Sequence, residues 1–149
     1  PRADWDTFTD PSAIDKYASE GAWFNIKTQI VPLRESGRME FLEGEQTLTS
    51  ELSAFPTPGH TPGQTSFLIS SQGARGVITG DAVHFPAQFQ ETDWSLGIDT
   101  DPVQSGVSRR TLVEIIERQD DTTVLAGHFP SPGIGRLEIW EGRRYWRAL

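Results

Sequence analysis

Thr65-Ser66-Phe67-Leu68-Ile69-Ser70, the turn Ser71-Gln72-Gly73-Ala74, then Gly76-Val77-Ile78-Thr79-Gly80-Asp81 is the stretch from which the fold is read. Two short apolar runs separated by a polar, Gly-containing turn predict paired strands, either a hairpin or two strands of one sheet. Upstream, Leu52-Ser53-Ala54-Phe55 leads into a stiff Pro/Gly segment, Pro56-Thr57-Pro58-Gly59-His60-Thr61-Pro62-Gly63. Downstream, a loop rich in Phe, Pro and Asp runs from Ala82 to Pro102.

The clearest helix is predicted over Val103–Gln119. Val103, Val107, Leu112, Ile115 and Ile116 lie along one side, leaving Arg109, Arg110, Glu114, Glu117 and Arg118 to face water. Thr122 to Ala126 reads as another strand, broken by Gly127-His128-Phe129-Pro130, and Arg136 to Leu149 as two strands around Glu141-Gly142. The N-terminal part reads as mainly helical. Asp10-Pro11-Ser12 is a helix-start signal, followed by Ile14, Tyr17 and Ala18 at helical spacing. Trp23, Phe24, Ile26, Ile30 and Val31 form a second apolar set that stops at or near Pro32, with Gly37 as a further breaker. Met39-Glu40-Phe41-Leu42 is a strand candidate turned by Glu43-Gly44-Glu45. Helix, strands, helix, strands is the order of a layered α/β protein.

The chain of 149 residues suits a single domain over 1–149. Thirteen Lys and Arg against 21 Asp and Glu leave a net charge of −8, the wrong sign for a general nucleic-acid binder. With 36% hydrophobic residues a folded core is expected, and no apolar run approaches the ~20 residues of a membrane span. The absence of cysteine excludes disulfides, Cys-ligated metals and thiol nucleophiles. The chain opens Pro1-Arg2-Ala3 without an initiator Met or a signal-peptide pattern. It is therefore expected to be processed or part of something longer, with the soluble cytoplasm as the default compartment.

Three histidines are present, His60, His84 and His128, each just beyond a predicted strand. Asp81, in Thr79-Gly80-Asp81-Ala82, also comes directly after an apolar strand, and Gly80 beside it allows close backbone approach. Imidazole and carboxylate together suit zinc, and also manganese or iron. Taken one at a time, a loop His is more often structural than functional, a Gly-Asp after a strand is usually a turn or cap, and no local metal motif such as His-x-x-x-His is present.

Taken together, Thr57-Pro58-Gly59-His60-Thr61-Pro62-Gly63-Gln64-Thr65-Ser66, Thr79-Gly80-Asp81-Ala82-Val83-His84 and Ala126-Gly127-His128-Phe129-Pro130 stand in the order seen in the metallo-β-lactamase fold superfamily. The chain resembles most its lactonase and methyl-parathion-hydrolase-like branch. The resemblance implies half of an αββα sandwich, a mixed sheet with flanking helices, and a hydrolase acting on an ester, lactone or related bond through a metal-bound water. It implies metal ligands His60, completing a first site, Asp81, bridging two ions, and His128, closing the second. His84 matches no ligand of the family. It either lines the substrate pocket or is a loop residue capped by its own backbone. Phe85, Phe89 and Trp94 are expected to pack the loop rather than wall a pocket.

The family signature His-x-His-x-Asp-His is absent. The chain is accordingly expected to correspond to the C-terminal half of the family's domain and to be inactive or nearly so alone. Its expected partners are the missing N-terminal half or a second copy in a homodimer, plus a small-molecule substrate, with no nucleic acid and no membrane. A complete parent would hold one or two ions, and this chain alone a residual site or none. Alternatives to an enzyme fragment are a self-associating metal-binding half-domain and a metal-free binding or scaffold module.

Overall fold

A computed structural model describes residues 1–14 and 25–149. The chain divides into two compact units, Pro1–Glu43 and Gly44–Leu149, each described by itself.

The first unit is helical. α1 (Arg2–Phe8) begins directly after Pro1, with Asp4 in its first turn, where a carboxylate favours the exposed N–H groups. Asp10 opens a turn over residues 11–14. Its side chain accepts from Ser12 N at 2.8 Å, and its carbonyl accepts from the N–H groups of Ala13 and Ile14. The expected continuation through Tyr17 and Ala18, and the positions Trp23 and Phe24, lie outside the described residues. A π-type turn over Ile26–Ile30 is capped by the Asn25 side chain and leads into α2 (Val31–Glu35). Pro32 does not stop the helical run as expected. It occupies the first turn of α2, where its missing N–H costs nothing. Met39 to Leu42 is not a strand. Phe41 is instead taken up by an edge contact with Trp5 and by the guanidiniums of Arg2 and Arg34, 3.9 and 4.9 Å from its ring centre.

The second unit carries one mixed sheet of seven strands lying side by side in chain order. β1 is Gln46–Thr47, β2 Leu52–Pro56, β3 Thr65–Ser71, β4 Ala74–Ile78, β5 Thr123–Leu125, β6 Ile134–Trp140 and β7 Arg143–Ala148. The predicted hairpin is β3 and β4, turned through Gln72 and Gly73, both at positive φ. All neighbours are antiparallel except β4 and β5. A parallel pair needs a crossover, supplied here by two short 3-10 turns, Gly80–Ala82 and Pro86–Phe89, and by α3 (Pro102–Glu117). Leu112, Val113 and Ile116 of α3 join Phe55, Val77, Val124, Phe89 and Phe129 in one apolar core.

The helix lies near the predicted bounds, but its faces differ from the expectation. Val103 and Val107 are exposed, while Arg109 is fully buried. Phe89 packs as expected, against Phe129 and Trp146 with ring centres 5.6 and 6.2 Å away, whereas Trp94 is more than half exposed. No helix among the described residues is long and apolar enough to cross a membrane.

Candidate metal centre

β2 and β4 both run antiparallel to β3, and β5 runs parallel to β4. The C-terminal ends of β2, β4 and β5 therefore open on one edge of the sheet, where ligands gather in open α/β sheets. His60, Asp81 and His128 follow these three strands. Asp81 stands between the two histidines, with Oδ1 2.9 Å from His128 Nε2 and Oδ2 3.8 Å from His60 Nε2. The three residues singled out in the sequence thus meet, although 47 positions separate Asp81 from His128.

His84 joins them. Its ring centre lies 4.9 Å from that of His60 and 4.8 Å from that of His128. No hydrogen bond from its own backbone caps the ring Nδ1 of this loop residue among the described residues. Its N–H donates to Gln88 Oε1 at 2.7 Å, and Gln88, fully buried, donates in turn to the carbonyl of Trp94 at 2.8 Å. The ring is buried, and its Nδ1 has no hydrogen-bond partner among the described residues. Burial, then the neighbouring His60 and His128, push the His84 imidazole below its ordinary pKa, more than Asp81 and Asp99 pull it up. In each of two groups, His60–His84–Asp99 and Asp81–His84–His128, one ligand atom from every residue lies within 4.8 Å of the others. Imidazole and carboxylate are the donor set of zinc and its neighbours, so the cluster fits such an ion chemically.

The backbone around the cluster is tightly fastened. Gly80, at φ +54, lets the chain pass so close to Gln64 that a Cβ would stand 2.3 Å from its Nε2. Ser66 Oγ donates to the Thr79 carbonyl at 2.9 Å, and the Thr79 N–H donates to Leu125 O at 3.0 Å, tying the Asp81 turn to β3 and β5. The His60 loop is clamped by the segment entering α3. Thr100 gives its N–H and its hydroxyl to the His60 carbonyl at 3.1 and 2.7 Å, and Asp101 N donates to Gly59 O at 2.8 Å. From α3 itself, Ser108 Oγ donates to Pro58 O at 2.6 Å. Asp101 also caps α3, accepting from Gln104 N at 2.9 Å.

Asp99 belongs to the cluster and was not foreseen from the sequence. Its Oδ1 lies 3.2 Å from His60 Nδ1 and its Oδ2 2.7 Å from Arg109 Nη2, with the Asp99 and Arg109 side chains at most 1% exposed. Arg109 Nε donates to the carbonyl of Ala82, and Nη1 to those of Thr92 and Trp94, at 2.6–2.9 Å. Burial alone would raise the Asp99 pKa. Hydrogen bonds from Ser95, Arg109 and His60, with the Arg109 charge, outweigh it and hold the carboxyl below its usual range. The available signal was the pair of acids in Ile98-Asp99-Thr100-Asp101, but nothing local separates the buried one from the helix cap.

An α/β sheet with histidines and a carboxylate gathered where its strands end defines the class as a metallohydrolase-like fold. The model of the Metallo-beta-lactamase superfamily matches residues 6–128, and the chain belongs to that superfamily. Among solved structures it is similar to AbOPH, a hydrolase in the beta lactamase superfamily, at 26% identity and TM-score 0.75, covering 98% of this chain and 53% of that one. It shares the fold of AidC, a dizinc quorum-quenching lactonase seen with a product, at 23% identity and TM-score 0.67, covering 83% and 46%. It shares it also with a B. thuringiensis AiiA variant carrying N-decanoyl-L-homoserine at its active site, at 18% identity and TM-score 0.57, covering 80% and 45%. The chain thus spans about half the length of these three solved structures. No curated protein matches it.

Proposed function

We propose that this chain is the metal-holding C-terminal portion of a metal-dependent hydrolase acting on an ester, lactone or related bond. One observation carries the reading: the Asp81 carboxylate turns one oxygen toward His128 and the other toward His60, at the shared end of three strands. In this reading His60, Asp81 and His128 hold zinc, with manganese or iron as the alternatives, and His84 lines the substrate side. When bound, such an ion supplies Lewis acidity and makes water nucleophilic at neutral pH.

The chain's own residues do the positioning. Asp81 offers two oxygens in different directions, one toward each histidine. His60 is carried by a loop clamped from Thr100, Asp101 and Ser108, which holds a ligand better than a free loop does. The His84 ring, between those of His60 and His128, is buried. The substrate class follows the solved relatives, AidC with an N-acyl-homoserine product and AiiA with N-decanoyl-L-homoserine.

A hydrolytic zinc generally has three protein ligands and an open position, and the chain offers this number with two of the three side chains about half exposed. Relatives about twice as long support a second contribution from an N-terminal half or from a second copy of the chain. Metal analysis of the purified chain, with light scattering on the same sample, tests the proposal. About one equivalent of zinc, manganese or iron per chain, lost in His128→Ala, is the expected result. A metal-free chain, or metal content indifferent to His128→Ala, overturns it. The scattering mass distinguishes a monomer from a self-associated half.

A further inference from the structure

We propose that Asp99, held in place by Arg109, is a positioning residue for His60: it fixes the imidazole as the Nδ1–H tautomer and leaves the Nε2 lone pair turned toward Asp81. A carboxylate only accepts hydrogen bonds, and a neutral imidazole carries one N–H. The 3.2 Å contact between Asp99 Oδ1 and His60 Nδ1 is therefore a hydrogen bond only if the proton sits on Nδ1. Nε2 is then the free acceptor, and it is the atom 3.8 Å from Asp81 Oδ2.

Asp99 itself has little freedom. Its second oxygen accepts from Arg109 Nη2 at 2.7 Å, and Arg109 is pinned by three backbone carbonyls. The neighbouring Thr100 and Asp101 bond the His60 loop at His60 O and Gly59 O, so carboxylate and imidazole cannot drift apart independently. A ligating histidine whose other ring nitrogen is held by a carboxylate has its orientation and basicity set by that partner. The consequence for metal binding rests on the role proposed above for His60, whereas the tautomer assignment does not.

Asp99→Asn separates the two. Arg109 is a pure donor, so the carbonyl of the introduced amide stays on Arg109 and its NH2 group faces His60. Nδ1 must then accept, and the proton moves to Nε2, the nitrogen needed for ligation.

Two-bond proton–nitrogen NMR on the metal-free chain at pH about 8, above the ordinary imidazole range, reads the tautomer directly. The expected result is Nδ1–H at His60, switching to Nε2–H in Asp99→Asn, with zinc affinity in a titration falling by about 10–100-fold. Nε2–H in the unsubstituted chain or an unchanged tautomer in Asp99→Asn overturns the proposal, whereas a switched tautomer with unchanged zinc affinity supports the positioning and rejects His60 as a metal ligand. Should Asp99→Asn not fold, the spectrum of the unsubstituted chain decides alone. A tautomer that behaves as expected in a chain that binds no zinc supports the positioning and rejects the metal-holding role.

Discussion

Arg109 and Arg110 are neighbours in sequence and opposites in structure. Arg109 is fully buried and spends its donors on Asp99 and three backbone carbonyls, whereas Arg110 is about half exposed and pairs with the largely exposed Asp93. One helix residue of rotation turns a surface ion pair into the hub of the loop that carries Asp99. The difference shows that a charge on α3 can belong to the core when fixed acceptors surround it. It also ties the order of the candidate site to the loop behind His60 as well as to His60, Asp81 and His128 themselves.

Breaking the buried member should have the largest effect. Arg109→Met leaves the Asp99 carboxylate buried without its cation, and loss of one partner of a buried pair costs about 3–5 kcal/mol. Arg110→Met removes an exposed pair and should change stability by about 1 kcal/mol or less. Urea unfolding of the two variants tests the contrast, and equal effects would contradict it. Gly59→Ala sharpens it from the other side. At φ +136, a Cβ on Gly59 would stand 2.3 Å from Ser105 N at the start of α3. The clash drives apart the His60 loop and the segment that clamps it, at about 1–3 kcal/mol from overpacking. Gly142→Ala, which meets nothing within 4 Å although its φ is also positive, carries only the backbone strain and should unfold at a higher urea concentration than Gly59→Ala.

The same contrast explains what could be read from the sequence. The β3–β4 hairpin was legible because its apolar runs and Gln72-Gly73 turn are local signals, and they agree with the pairing found. His60, Asp81 and His128 were legible as a set through the order of three motifs that resembles the metallo-β-lactamase superfamily, and the common direction of β2, β4 and β5 brings those strand ends together. Asp99 was hidden. Its partners lie 39 residues upstream and 10 downstream, and periodicity carries no information about pairing at that distance. Arg109 was misassigned for a related reason: hydrophobic patterning counts an arginine as a water-facing residue. Met39–Leu42 has the composition of a strand, yet Phe41 is claimed by two guanidiniums and Trp5 within its own unit. α1 escaped because Arg2–Phe8 is short and buries no residue fully, and so leaves little apolar pattern to read.

The central claim is that three strand ends of this chain hold a metal ion through His60, Asp81 and His128. Titration of zinc into the metal-free chain, beside Asp81→Ala, tests it most directly. The account predicts saturable binding of about one equivalent that Asp81→Ala abolishes or greatly weakens. Zinc bound equally well by both proteins, or by neither, would contradict it.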